Sequence, residues 1–139
     1  MSGAGRVKTI GGWVLHAAVG GIMLLAGSAK LFGFFPPEEL AKYGLGDQVR
    51  LIGAGEVLTA LLLLVPRTSP LGLLLASAFW GGAICIHMSH GESYVMQSAL
   101  LVLVWVGAYL RNPAFFAPLF GAAPTAKEEA LLAAHPSGD

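Results

Sequence analysis

Apolar residues in this chain gather into four long stretches, separated by short segments that hold most of the prolines and charges. The stretches cover about residues 11–34, 49–65, 71–88 and 94–110. A bilayer core is crossed by roughly 17–25 predominantly apolar helical residues, and these stretches fall near that length. The pattern predicts an all-α, polytopic membrane protein: a four-transmembrane-helix bundle with short interfacial helices, forming one domain over residues 1–139.

Local signals set the boundaries. Pro36 and Pro37 end the first stretch, and Pro66 to Pro70 make a tight turn after the second. Arg111, Asn112 and Pro113 stop the fourth. Between the first two stretches, Pro37, Glu38 and Glu39 suit the start of a short helix and Gly44 its end. The interfacial and C-terminal tail, residues 111–139, begins with Phe115, Phe116, Leu119 and Phe120, too few apolar residues for a span. Thr125 to Glu128 has capping-box spacing and predicts a helix through about Ala134, and His135 to Asp139 are expected to fray. Arg6 and Lys8 before an apolar run, with Ala26 to Ala29 behind it, resemble a signal peptide. The run resumes through Phe35 and reaches spanning length, so an uncleaved first span is expected.

Composition agrees with this class. The chain is 55% hydrophobic and 12% charged, with a mean hydropathy of +0.71, whereas an ordinary soluble domain carries about 25% charged residues. The formal net charge is zero and the basic residues are scattered, so nothing points to nucleic acid and none is expected as a partner. Cys85 cannot form an intramolecular disulfide and reads as a small buried hydrophobe. Four spans put Arg6, Lys8, Arg67, Arg111 and Lys127 on one side, against Lys42, Arg50 and a boundary Lys30 on the other, so both termini are expected in the cytoplasm.

Ionisable groups inside a membrane are costly and mark functional or pairing sites. Lys30, Glu56 and His87 interrupt the first three stretches, and Gln97 lies one turn into the fourth. All four fall in the outer half, whereas only His16 and Ser69 interrupt the inner half. A polar pocket opening outward is expected, with Lys30, Glu56 and His87 meeting inside it. Lys30 and Glu56 suit a buried ion pair. Small residues at helical spacing, Ala17, Gly21 and Ser28 on the first stretch and Ala78 and Gly82 on the third, predict close helix approaches, as does Gly53 one turn before Glu56.

The chemistry narrows from there. His87 and His90 with Glu92 form the densest polar cluster and are weaker site candidates, since two loop histidines do not make a metal centre; no metal is expected. Haem is disfavoured because no second histidine faces His87 at its depth. A quinone or other amphipathic ligand suits the groups better: Lys30 or His87 donates to a carbonyl, Glu56 handles a proton, and Phe79 or Trp80 packs on the ring. For Trp80 and Trp105, core filling is the first reading, ahead of stacking on a ligand. No catalytic residue can be assigned.

The segments Ala26-Gly27-Ser28-Ala29-Lys30-Leu31, Gly53-Ala54-Gly55-Glu56, Gly82-Ala83-Ile84-Cys85-Ile86-His87 and Arg111-Asn112-Pro113, in this order, resemble the DoxX-like membrane proteins over about residues 12–113. The resemblance implies a four-helix bundle in the bacterial inner membrane. It also implies a link to respiratory chemistry, because the founding name belongs to a small subunit associated with quinol oxidase and thiosulfate:quinone oxidoreductase activity. A broader relative is a receptor-assembly chaperone. The expectation is therefore a redox-associated accessory or quinone-binding protein in the lipid bilayer. The alternative is a non-catalytic assembly or partner subunit, working with another membrane protein or as a homo-oligomer. A small transporter fits least, for want of an inverted repeat and of polar residues in the inner half.

Overall fold

A computed structural model describes residues 3–120. Five helices follow one another: α1 (Gly3–Leu31), α2 (Glu38–Ala41), α3 (Val49–Leu64), α4 (Ser69–Ser89) and α5 (Val95–Arg111). Short 3-10 helices cover Gly46–Gln48 and Pro113–Phe120. No strand occurs among the described residues. The capping-box helix and the terminal residues expected beyond Phe120 lie outside the described range.

The four long helices pack as a ring: α1 lies against α3 and α5, and α4 closes the circle by packing on the same two. One end, here the loop end, carries the α1–α3 loop and the α4–α5 connection. The opposite turn end carries the tight α3–α4 turn, the start of α1 and the close of α5. At the loop end α2 starts after Pro37 and the chain reverses at Gly44, whose φ of +73° only glycine adopts without strain.

Helix lengths refine the expected spans. Only α1 and α4, with 29 and 21 residues, are long and apolar enough to cross a membrane by length and composition. α3 and α5 have 16 and 17 residues, which is about 24–26 Å at 1.5 Å per residue, short of a hydrocarbon core of about 30 Å. α1 begins two turns earlier than its apolar stretch and ends at Leu31 rather than Phe34, because Gly33, at φ +78°, turns the chain.

Each long helix buries one stripe. On α1 the buried residues include Gly12, His16, Val19, Met23, Gly27 and Lys30, spaced so that at 3.6 residues per turn they cover about a quarter of the circumference. Ala17 and Gly21 lie outside that arc. A Cβ at Gly21 or Gly82 would meet nothing within 4 Å, and Ala17, Ala78 and Gly82 are exposed. The close approaches expected at those residues therefore fall elsewhere: at Gly12 against Gly107, Gly27 against Gly53, and Gly72 against the Leu63 backbone. Gly53 is where the sequence placed it.

The interior and the exterior are both apolar. Val19, Met23, Leu63, Leu73 and Val104 fill the middle of the bundle. Outside, Leu25 of α1, Leu58 of α3, Leu74 of α4 and Val102 of α5 are 76%, 55%, 58% and 60% exposed. An apolar skin on every long helix, with polar side chains turned inward, is the reverse of a soluble protein and matches a hydrocarbon solvent. Cys85 belongs to this skin: it is exposed, contrary to expectation, because α4 has no buried residue after Trp80. The Pro113–Phe120 segment folds back so that Phe116 is buried against the rings of Trp105 and Tyr109 at 5.8 and 5.7 Å.

Candidate functional site

Lys30 sits in the last turn of α1 and Glu56 near the middle of α3, both on buried stripes that face each other across the Gly27 and Gly53 contact. Lys30 Nζ donates to Glu56 Oε2 at 2.5 Å. The pair is 9% and 3% exposed. A charge buried this deeply needs an opposite charge with good geometry, and each residue is the other's answer. Lys30 also borders a cleft of about 380 Å³ at the loop end, shared with Phe35, Asp47 and Arg50. Its ammonium lies 5.0 Å from the Phe35 ring centroid.

His87 does not join them. Among the described residues its side-chain partner is Glu92, with Nδ1 donating to Oε2 at 2.8 Å. Tyr43 also donates its hydroxyl to that carboxylate, and Lys42 lies 3.6 Å from the other oxygen. The Tyr43 ring stands edge-on to His87 and His90, at 5.5 and 5.0 Å. This cluster ties the α1–α3 loop to the α4–α5 connection. The expected meeting of three groups thus resolves into two separate arrangements. The reason is chain proximity: Glu92 comes five residues after His87, where α4 has ended and the backbone can turn back onto the ring.

The electrostatics of this loop cluster follow from its hydrogen bonds. The Tyr43 hydroxyl, then His87 and Lys42, hold the Glu92 carboxyl below the usual carboxylate range. The same bond to Glu92 raises the Tyr43 phenol. Lys42 is raised by its contact with Tyr43, then by Glu39 and Glu92.

Gln97 and Trp80 are buried, 5% and 7% exposed, as inward positions of α5 and α4. Gln97 Oε1 and Trp80 Nε1 have no hydrogen-bond partner among the described residues. Trp80 is also part of the apolar core, with its ring edge-on to Phe79 at 5.3 Å. Trp105 instead donates its Nε1–H to Ser77 Oγ at 3.0 Å. No group of three His, Cys, Asp or Glu side chains able to hold a metal occurs among the described residues.

The turn end holds a polar cluster in which His16 and Ser69, the two interruptions visible in the sequence, are joined by Arg111, which sequence reasoning did not connect with them. His16, 0% exposed, has Nε2 2.9 Å from the Val104 carbonyl oxygen. A carbonyl only accepts, so this nitrogen carries the proton and Nδ1 offers a lone pair. Arg111 Nη1 donates to that Nδ1 at 2.5 Å and to Ser69 Oγ at 2.9 Å. Its guanidinium carbon is 3.7 Å from the Trp13 ring centroid. Arg111 reads in the sequence as a helix stop. The available signal was spacing: Arg111 is fourteen residues after Gln97, about four helical turns and hence on the same face.

All-α over the described residues, with an apolar skin, two helices of spanning length and the mid-helix Lys30 and Glu56 turned inward, the chain is a membrane protein. Its family is shown by comparison: the model of the DoxX-like family matches residues 9–109, so the chain belongs to the DoxX-like family. No curated protein and no solved structure matches it significantly.

Proposed function

We propose that this DoxX-like protein is a four-span bundle of the bacterial inner membrane, with both termini cytoplasmic, whose loop-end cleft binds the head group of a quinone or similar amphipathic carbonyl compound. One observation carries the reading: Lys30 is held by buried Glu56 and at the same time lines an open cleft of about 380 Å³ with Phe35 and Arg50. That volume is within the range of about 300–1,000 Å³ usual for small-ligand sites. An ammonium fixed on one side by a carboxylate has further N–H groups to offer a carbonyl oxygen. Phe35 supplies a ring face. Glu56 positions the donor and gives the amine an adjacent proton acceptor. α3 and α5 cross with their ends at the interface, where polar loops and local thinning make up the missing length.

The test is titration of the detergent-purified chain with a short-chain ubiquinone, followed by calorimetry. Saturable binding is expected, weakened about tenfold in Lys30→Met by loss of one charge-assisted hydrogen bond. Absence of saturable binding to the folded wild type would sink the reading.

A second reading, a partner subunit of a membrane complex, is favoured by α4, whose last nine residues after Trp80 include none that is buried. Native mass spectrometry separates the two: a stoichiometric complex with a second membrane protein and no quinone binding supports the partner role.

A further inference from the structure

The turn end differs in charge from the loop end. Among the described residues, Glu38, Glu39, Asp47, Glu56 and Glu92 all lie at or toward the loop end, whereas the turn end holds Arg6, Lys8, Arg67 and Arg111 with no acidic residue. Arg111 pairs with no carboxylate among the described residues; its two partners, His16 Nδ1 and Ser69 Oγ, are neutral. The His16 tautomer requires this, since a ring nitrogen that accepts from a guanidinium cannot itself carry a proton. Arg111 is therefore oriented by two neutral acceptors, both on Nη1, so that among the described residues its charge has no carboxylate partner and its Nη2 donors have no side-chain partner.

That guanidinium opens onto a second cleft, of about 270 Å³, lined by Thr9, Trp13, Ser69, Asn112 and Phe115 besides Arg111. Every polar side chain there is neutral or cationic, and the Thr9 hydroxyl is held by the Gly5 carbonyl. Pro70 and Ser69 place the first turn of the 21-residue α4 at the same cleft, and no side chain caps that turn. The positive end of the helix adds to the field of Arg111. Trp13, stacked on the guanidinium, fixes its plane and supplies the amphipathic ring characteristic of a head-group region.

We infer that this cleft binds the phosphate of an anionic phospholipid head group, with Arg111 as the charged donor and Ser69 and Asn112 as neutral ones. The phosphate lies at the level of the turn end and its acyl chains run along the apolar skin of α1 and α5. The inference needs the membrane reading of the bundle and is independent of the quinone cleft at the opposite end.

Native mass spectrometry of the full chain, exchanged into detergent with either phosphatidylglycerol or phosphatidylcholine, tests it. Wild type is expected to retain phosphatidylglycerol at least about tenfold better than phosphatidylcholine, and Arg111→Gln to lose that preference. Arg111→Lys keeps charge without the planar fork and should fall between. Lys8→Gln, on the same end but outside the cleft, should change retention less than about twofold. Because Arg111→Gln also removes bonds to His16 and Ser69, its helicity is compared with that of wild type by circular dichroism. The wild-type lipid preference stands as an independent readout if the variant unfolds. Equal retention of the two lipids by wild type overturns the inference, as does full retention by folded Arg111→Gln. Inorganic phosphate that displaces the lipid at equal concentration also overturns it, by making a soluble anion the ligand.

Discussion

Gly27 on α1 and Gly53 on α3 each turn a carbonyl toward the other's Cα: a Cβ on Gly27 would lie 2.8 Å from the Gly53 oxygen, and a Cβ on Gly53 would lie 2.7 Å from the Gly27 oxygen. Both obstacles are backbone and cannot swing aside. Gly27→Ala and Gly53→Ala are each expected to push the helices apart and cost about 1–3 kcal/mol, the usual range for overpacking. Gly21→Ala and Gly82→Ala meet nothing and should leave the melting temperature unchanged or slightly raised. Equal melting temperatures for all four variants would contradict the crossing.

The Lys30 and Glu56 pair stands next to that crossing. Glu56→Gln leaves an ammonium buried without its counter-charge and is expected to destabilise by about 3–5 kcal/mol. The double change Lys30→Met with Glu56→Leu removes both charges and should recover most of the loss, while weakening ligand binding at the loop-end cleft about tenfold, as Lys30→Met does. Chemical denaturation of the three proteins in one detergent checks the ordering.

At the turn end, His16 donates to Val104 and accepts from Arg111. His16→Leu deletes both bonds at once. A double-mutant cycle with Arg111→Leu should give a coupling of about 0.5–3 kcal/mol, as for residues in one hydrogen-bond network. A coupling near zero would mean that the contact contributes nothing to stability.

The loop cluster predicts a pH response. The Glu92 carboxyl titrates below its ordinary 4.5, so its contribution is present above that value and disappears as pH falls through the lower folded value. The Tyr43 phenol titrates above 10.0 and the Lys42 amine above 10.5. Their contributions are present below those values and disappear as pH rises through the higher folded ones. The tie between the two loops is therefore intact across the neutral range and released at both extremes. Hydrogen exchange in residues 38–48, followed as pH drops, should accelerate on the acid side in wild type and show no such step in Glu92→Gln.

Much of the bundle could be read from the sequence, and the failures have physical causes. Lys30 and Glu56 were legible because opposite charges at similar depth have few other ways to be neutralised. The α1 packing face was not, since glycines and alanines occur all round that helix and small size alone does not select a side. His16 and Lys30, fourteen residues apart, would have selected it, because both need partners inside. His87 misled for a different reason. Its place near the end of the third stretch gives its depth, but its environment is set by Tyr43, which reaches it from a loop more than forty residues away in sequence. Nothing in the local pattern announces that contact.

Between His16 and Lys30 on α1, and again between Gln97 and Arg111 on α5, the helices rise about 21 Å at 1.5 Å per residue. That interval is packed with Val19, Met23, Leu63 and Val104, each 0% or 1% exposed. Such a plug acts as an insulator. On the proposed spanning topology, the voltage drop of an energised membrane would fall across it, at about 2.3 kcal/mol per elementary charge per 100 mV. With the chain so placed, each polar cluster would communicate with the water on its own side and be shielded from the chemistry of the other.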